Sequence, residues 1–196
     1  MKLRPVPDIR RQACVVGQPG SGKTTFLRSF ARLYADRLVA SQAAGAGNMS
    51  PKTGDGHPAQ AVAGALEFYV AHRRGVIRLV DTRGFYDKLP AQSYEREWLV
   101  ATFKTVYESD VIFHVMDAAQ AGHDLDTAVS ELDRVLAAYG EGRPGYALLA
   151  NKMDLPAAQW GLWRLREQFP HNFIIPVSAL HGTGFRLVEG FLSRQV

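Results

Sequence analysis

The sequence predicts an α/β fold: a six-stranded, mostly parallel sheet with one antiparallel strand and helices on both faces. Three observations predict it. Short apolar runs alternate with segments of helical spacing. Most of the runs are apolar from end to end, as strands covered on both faces are. One pair of runs is separated by only three residues, too few for a crossover helix.

The first strand is residues 12–16, which leaves 1–11 as an N-terminal extension to a single domain over 12–196. Phe26, Phe30 and Leu33 then recur at helical spacing. Strands follow at Leu66–His72 and 76–81, and the short link Arg73-Arg74-Gly75 makes this pair an antiparallel hairpin. Trp98, Leu99, Phe103 and Val106 mark a second helix. Val111–Asp117 is the next strand, and Leu125, Val129, Leu132, Leu136 and Tyr139 define a third helix. Tyr146–Asn151, a helix near 159–168, a strand over 172–177 and a helix over 185–193 complete the chain. Such alternation implies right-handed crossovers, with ligands at the carboxyl ends of the strands.

A chain of 196 residues suits one domain with a full core. Its N-terminus, MKLRPVPDIRRQ, lacks the apolar segment of a signal peptide, and no apolar run is long enough to span a bilayer. There is no Gly after Met and no Cys in LSRQV, so the simple lipidation motifs are absent. A single cysteine, Cys14, excludes an internal disulfide and fits a reducing cytoplasm. The net charge of +4 hints at an anionic partner, although scattered surface Lys and Arg account for it as well.

Phosphate chemistry enters with GQPGSGKTT, Gly17 to Thr25, directly after the first strand. Gly17-x-x-x-x-Gly22-Lys23-Thr24 sits between strand and helix, the context that a phosphate loop requires. After Pro19, which has no N–H to give, the backbone N–H groups of Gly20, Ser21, Gly22 and their neighbours turn inward around phosphate oxygens, and the helix N-terminus adds a favourable dipole. Lys23 reaches the β- and γ-phosphates, and the Thr24 hydroxyl can ligate Mg²⁺. In Asp81-Thr82-Arg83-Gly84-Phe85, Asp81 ends a strand where its carboxylate reaches the metal, usually through water. Gly84 lets its backbone N–H approach the γ-phosphate.

Asn151-Lys152-Met153-Asp154 selects the base. A carboxylate at Asp154 accepts two hydrogen bonds from guanine, whereas adenine offers neither donor in that arrangement. Asn151 ties this loop to the phosphate loop, and the Lys152 stem lies over the base. After the last strand comes Ser178-Ala179-Leu180, where a backbone N–H near Ala179 meets the guanine oxygen.

In this order, GQPGSGKT, DTRG, NKMD and SAL resemble the P-loop GTPases of the translation-factor-related class, over nearly the whole chain. The DTxG–NKxD–SA pattern and the strand ending VMDA are more similar to Era-like bacterial GTPases than to Ras-like ones. The resemblance implies a three-layer P-loop NTPase fold (a Ras-like G domain) that binds GTP and GDP with Mg²⁺ and hydrolyses GTP slowly. It also implies two mobile switch segments, here 41–63 and 82–93, and catalytic roles for Lys23, Thr24 and Gly84. The metal ligands carried over are Thr24, Asp81 and a switch I threonine, for which Thr53 is the best candidate, with Ser50 behind it.

The sequence departs from the family at Phe85, where Ras-like proteins place a water-orienting Gln, so intrinsic hydrolysis should be slow. Gly20 replaces the Asn with which several Era-like members hold potassium. Arg83 as an arginine finger in cis, His57 as a water-orienting group and His72-Arg73-Arg74 as an RNA contact are each weaker readings than a solvated loop. Asp117 is read as closing a strand, and Trp98, Trp160 and Trp163 as packing residues. The output is a molecular switch acting on an unidentified effector protein or RNA. A homodimer is compatible with this and no DNA specificity is evident. The rival readings are a scaffold with negligible hydrolysis and an ATP-using kinase or transport ATPase, and the NKMD loop argues against the last.

Overall fold

Apolar residues in an unbroken run need cover on both faces, and β1 (Ile9–Val16) has it: Ala13, Cys14, Val15 and Val16 are all fully buried. The computed structural model describes residues 9–33, 38–43, 66–72, 75–82, 84–85 and 93–195. β1 lies at the middle of the sheet, paired in parallel with β4 (Gly75–Asp81) on one side and β5 (Val111–Asp117) on the other. β6 (Tyr146–Asn151) and β7 (Ile174–Pro176) extend the parallel set beyond β5. β3 (Leu66–His72) pairs antiparallel with β4, as the short link requires, with His72 opposite Gly75.

Among the described residues the sheet has seven strands rather than six, in the order β2-β3-β4-β1-β5-β6-β7. The additional β2 (Leu38–Ala43) is an edge strand antiparallel to β3, so β3 alone runs against the rest. β2 takes in residues 41–43 of the segment expected to be mobile. β1 also begins at Ile9, which draws three residues of the expected N-terminal extension into the sheet.

Alternate residues of each strand face opposite layers. Ala13, Val15, Phe113, Val115 and Leu149 pack under α1 (Lys23–Leu33) and α7 (Phe185–Gln195). Phe26 of α1 is the centre of that layer, with ring centroids 5.6 Å from Phe30, 5.9 Å from Phe113 and 5.4 Å from Phe185. Each buried Phe contributes about 1.5–3 kcal/mol of transfer free energy. Cys14, Val16, Ile112, Met116, Leu148 and Ala150 form the opposite layer with α2 (Ser93–Glu108) and α6 (Ala158–Gln168).

The third helix, expected from Leu125 to Tyr139, is two helices, α4 (Leu125–Ala128) and α5 (Glu131–Gly140), and a further short helix, α3 (Ala118–His123), precedes them. Caps override the apolar spacing. Asp117, Asp124 and Ser130 each accept a backbone N–H at a helix start, and Ser130 with Asp133 forms a complete capping box. Trp160 and Trp163 are not packing residues of the core. Gly161, Leu162 and Leu165 take the inward face of α6, while the two indoles stand half-exposed on the outer face, stacked at 4.5 Å. The Trp98 side chain lies outside the described residues.

α6 approaches α3 so closely that a Cβ on Gly161 would sit 1.7 Å from the Ala118 carbonyl oxygen. Gly161→Ala must push the two helices apart, and overpacking of this kind costs about 1–3 kcal/mol. Urea unfolding should show a correspondingly lower midpoint with an unchanged slope; a wild-type midpoint would mean that the contact yields freely.

Candidate functional site

Three strand ends converge where β1, β4 and β6 give way to loops. The β1–β4 register places Asp81 opposite Val15, and the β5–β6 register places Asn151 opposite Asp117. Parallel strands of similar length thus deliver the three sequence motifs to one edge of the sheet.

Residues 17–22 form a loop between β1 and α1, and Gly22 holds φ +97° there. A Cβ on Gly22 would lie 2.3 Å from Asn151 Nδ2, so both the backbone angle and the close approach demand glycine. Lys23, at the start of α1, is buried and donates from Nζ to the Gln18 carbonyl at 2.7 Å, arching over the loop. Burial pushes its ammonium below the ordinary lysine range, and the charges of Asp81 and Asp133 oppose that shift. Thr25 is exposed on the first turn of α1.

Thr24 donates its hydroxyl to Asp81 Oδ2 at 2.6 Å. The other oxygen, Asp81 Oδ1, is buried with no hydrogen-bond partner among the described residues. Burial raises the Asp81 carboxyl above its ordinary range, against the Thr24 hydrogen bond and the charges of Lys23 and Arg28. A hydroxyl oxygen beside an unsatisfied carboxylate oxygen is the hard donor set that suits Mg²⁺, with the remaining ligands from phosphate and water. Thr82 donates from Oγ1 to the Val15 carbonyl at 2.8 Å and so pins the end of β4 to β1. Gly84 passes so near the phosphate loop that a Cβ there would lie 2.7 Å from Pro19 N and 2.9 Å from Lys23 Nζ. Phe85 is buried in the core layer with its ring 6.4 Å from that of His114.

The loop of residues 151–154, expected to select the base, is fastened at both sides by Asn151, which is 1% exposed. Its Nδ2 donates to the Ser21 carbonyl at 2.8 Å, and its Oδ1 accepts the Ala179 N–H at 2.9 Å. That second bond engages the Ala179 N–H, one of the backbone donors in the segment expected to meet the base oxygen. Ser178 donates its hydroxyl to Asp154 Oδ1 at 2.6 Å, and this bond holds the exposed Asp154 carboxyl below its ordinary range. Leu180 is exposed. Lys152 adopts φ +67°, and its Nζ pairs with Asp117 Oδ2 at 2.5 Å.

Asp117 therefore does more than end a strand: one oxygen caps α3 and the other steers Lys152. Sequence reasoning missed this pair, although its signal was the juxtaposition of two strand-end polar residues. It also missed a buried set, Gln18, Asp133, His114 and Tyr146, whose members lie far apart in the chain. Thr53, Ser50, His57, Arg73, Arg74 and Arg83 lie outside the described residues.

The model of a family described as 50S ribosome-binding GTPase matches residues 12–152. Among curated proteins, GTPase Obg from Akkermansia muciniphila is 30% identical over 200 residues, which cover 100% of this chain and 50% of that protein. The chain thus spans about half the length of this relative. Among solved structures, the G domain of the T. maritima FeoB iron transporter is 14% identical with a TM-score of 0.59, covering 94% of this chain and 98% of that one. A GTP-binding protein from Sulfolobus solfataricus in complex with GDP is 23% identical with a TM-score of 0.60, covering 94% and 52%. Era in complex with MgGDPNP and nucleotides 1506–1542 of 16S ribosomal RNA is 18% identical with a TM-score of 0.64, covering 94% and 56%. These likenesses establish the fold.

Asn151→Ala leaves the buried Ser21 carbonyl and Ala179 N–H without their partner. The loss should be about 1–3 kcal/mol of stability for each group stranded. Denaturant unfolding of the ligand-free chain measures it, and an unchanged midpoint would show that the two loops are fastened elsewhere.

Proposed function

For a chain that belongs to the 50S ribosome-binding GTPase family, we propose a nucleotide switch that binds GTP and GDP with Mg²⁺, hydrolyses GTP slowly and signals to a partner. The observation that carries the reading is the Asn151 bridge. It sets the phosphate loop and the Asp154 carboxylate at a fixed separation, one for the phosphates and one for the base.

Asp154, held ionised by Ser178, accepts hydrogen bonds from the guanine ring N–H and exocyclic amine. Lys23 exchanges the Gln18 carbonyl for phosphate oxygens, a swap that costs little because its ammonium is already desolvated and oriented. Thr24 and Asp81 would hold Mg²⁺, which when bound would supply neutralisation of the charge that phosphoryl transfer develops. In hydrolysis, water attacks the γ-phosphorus, the bond to the β–γ bridging oxygen breaks, and GDP and inorganic phosphate leave. Gly84 lies close enough to Lys23 for its N–H to register the γ-phosphate.

Phe85 supports a slow rate. Its ring is buried and apolar at the position from which a polar side chain would orient the attacking water. The same observation favours the second reading, a scaffold subunit with negligible hydrolysis of its own. Single-turnover phosphate release, with and without partners, separates the two. The partner we favour contains ribosomal RNA, in keeping with the family description and with the Era complex. No helix among the described residues is long and apolar enough to cross a membrane, and a cytoplasmic setting suits a ribosomal partner.

Asp154→Asn should move preference from guanosine toward xanthosine diphosphate. A hydrogen bond to a charged group is worth about 1.5–3 kcal/mol, so the change of base preference should be at least about tenfold. Competition titration measures the change, and unaltered GDP selectivity would overturn the base assignment. Lys23→Ala should abolish tight binding of GTP and GDP alike in equilibrium titration. Retained affinity would place the phosphates elsewhere.

A further inference from the structure

The side chain of Gln18, the second residue of the phosphate loop, is held by groups that no recognised motif contains. Its Nε2 donates to Asp133 Oδ2 at 2.6 Å and to the Ala128 carbonyl at 3.1 Å. Asp133, in the first turn of α5, is 1% exposed. The same Oδ2 accepts the Ser130 backbone N–H at 2.9 Å and the Ser130 hydroxyl at 2.8 Å. Oδ1 meets His114 Nε2 at 2.7 Å, and His114 Nδ1 meets the Tyr146 hydroxyl at 2.6 Å. His114 has no exposed surface.

Burial alone would raise the Asp133 carboxyl. The hydrogen bond and charge of His114, then the Ser130 N–H and Gln18, outweigh it and hold the group below the ordinary carboxylate range. A buried carboxylate with this many donors is a rigid anchor, because moving any one donor exposes an uncompensated charge. The anchor acts on one residue of the loop. Before any ligand is bound, the carbonyl of the same residue receives the Lys23 ammonium, so Gln18 is held by its side chain and its main chain alike.

We propose that Asp133 is a positioning residue for the phosphate loop: through Gln18 it fixes the loop against α5, and His114 and Tyr146 keep its carboxylate oriented. The role rests on the reading that this loop holds nucleotide phosphates. A glycine-containing loop fixed before the ligand arrives avoids the ordering cost at binding, so the network lengthens the residence of the nucleotide. It does not choose the base, because Asp154 and Ser178 belong to a separate set of bonds.

The test uses the full chain and release of a fluorescent GDP analogue. Gln18→Met keeps the length of the side chain and removes the donor. Release should quicken on the order of tenfold, the effect of losing one hydrogen bond to a charged group, with the preference for guanine over adenine unchanged. Asp133→Asn should quicken release as well, and the double variant should be no faster than the quicker single variant.

Gln18→Glu sets a second carboxylate against Asp133, with His114 and Lys23 as the neighbouring cationic or ionisable groups. The pair then shares a proton as pH falls, restoring a donor. Release in this variant should be fast at pH 8 and slow toward pH 5, a dependence that a packing role of Gln18 would not produce. Additive single effects, or a flat pH profile for Gln18→Glu, overturn the proposal. Where Asp133→Asn fails to fold, the two Gln18 variants decide. A wild-type chain that does not retain the GDP analogue overturns the nucleotide reading together with this one. A wild-type chain that retains it beside a Gln18→Met variant that retains it equally overturns the positioning role alone.

Discussion

Asn151 gives its amide hydrogen to one loop and takes an N–H from another while its own backbone ends β6. Nearly every property of the candidate site follows from that one buried side chain. Ser21 belongs to the phosphate loop and Ala179 to the segment after β7, and neither is near Asn151 in the chain. An amide is the one short side chain that offers a donor and an acceptor in a single rigid plane. A carboxylate would repel the Ser21 carbonyl, and an aliphatic side chain would strand both partners. The spacing between the loop of residues 17–22 and the segment after β7 is thereby a property of the fold, present before any ligand.

Charge is buried around this bridge and balanced locally. Lys23 faces Asp81 and Asp133 across the loop, and each of these groups is shifted by its surroundings in the direction that desolvation and partners dictate. Asp81 retains one oxygen, Oδ1, that is buried without a hydrogen-bond partner among the described residues. Asp133 retains none among the bonds described, and its charge serves geometry. Two carboxylates of similar burial therefore do different work: one is left open to a ligand and the other is closed by protein donors.

The phosphate loop and the NKMD loop were legible in the sequence because each is a run of consecutive residues whose conformation is fixed locally by glycines and strand ends. The parallel sheet was legible for a similar reason, since strands buried on both faces announce themselves as apolar runs. β2 was not. Leu-Val-Ala-Ser-Gln-Ala carries no clear period, and its place depends on pairing with β3. The break in the third helix escaped because Ser130 acts as a cap whose effect outweighs an apolar spacing that continues across it. Use of the Ala179 N–H by Asn151, and the Gln18–Asp133 bond across 115 positions, are tertiary facts with no local signature. Trp160 and Trp163 misled for the opposite reason. Their size suggested a core, yet their positions on α6 face outward.

Cys14 occupies the middle of β1, fully buried between its neighbours, with burial pushing its thiol up to about 12 despite a hydrogen bond involving Ser109. At neutral pH the reactive thiolate is essentially absent while the strand stays in place. An electrophile reaches this sulfur when the packing around the central strand opens, and that strand leads directly into Gly17. The single sulfhydryl of the chain is therefore a chemical clock. The moment of its modification dates the opening of the sheet beneath the phosphate loop, independently of any nucleotide signal.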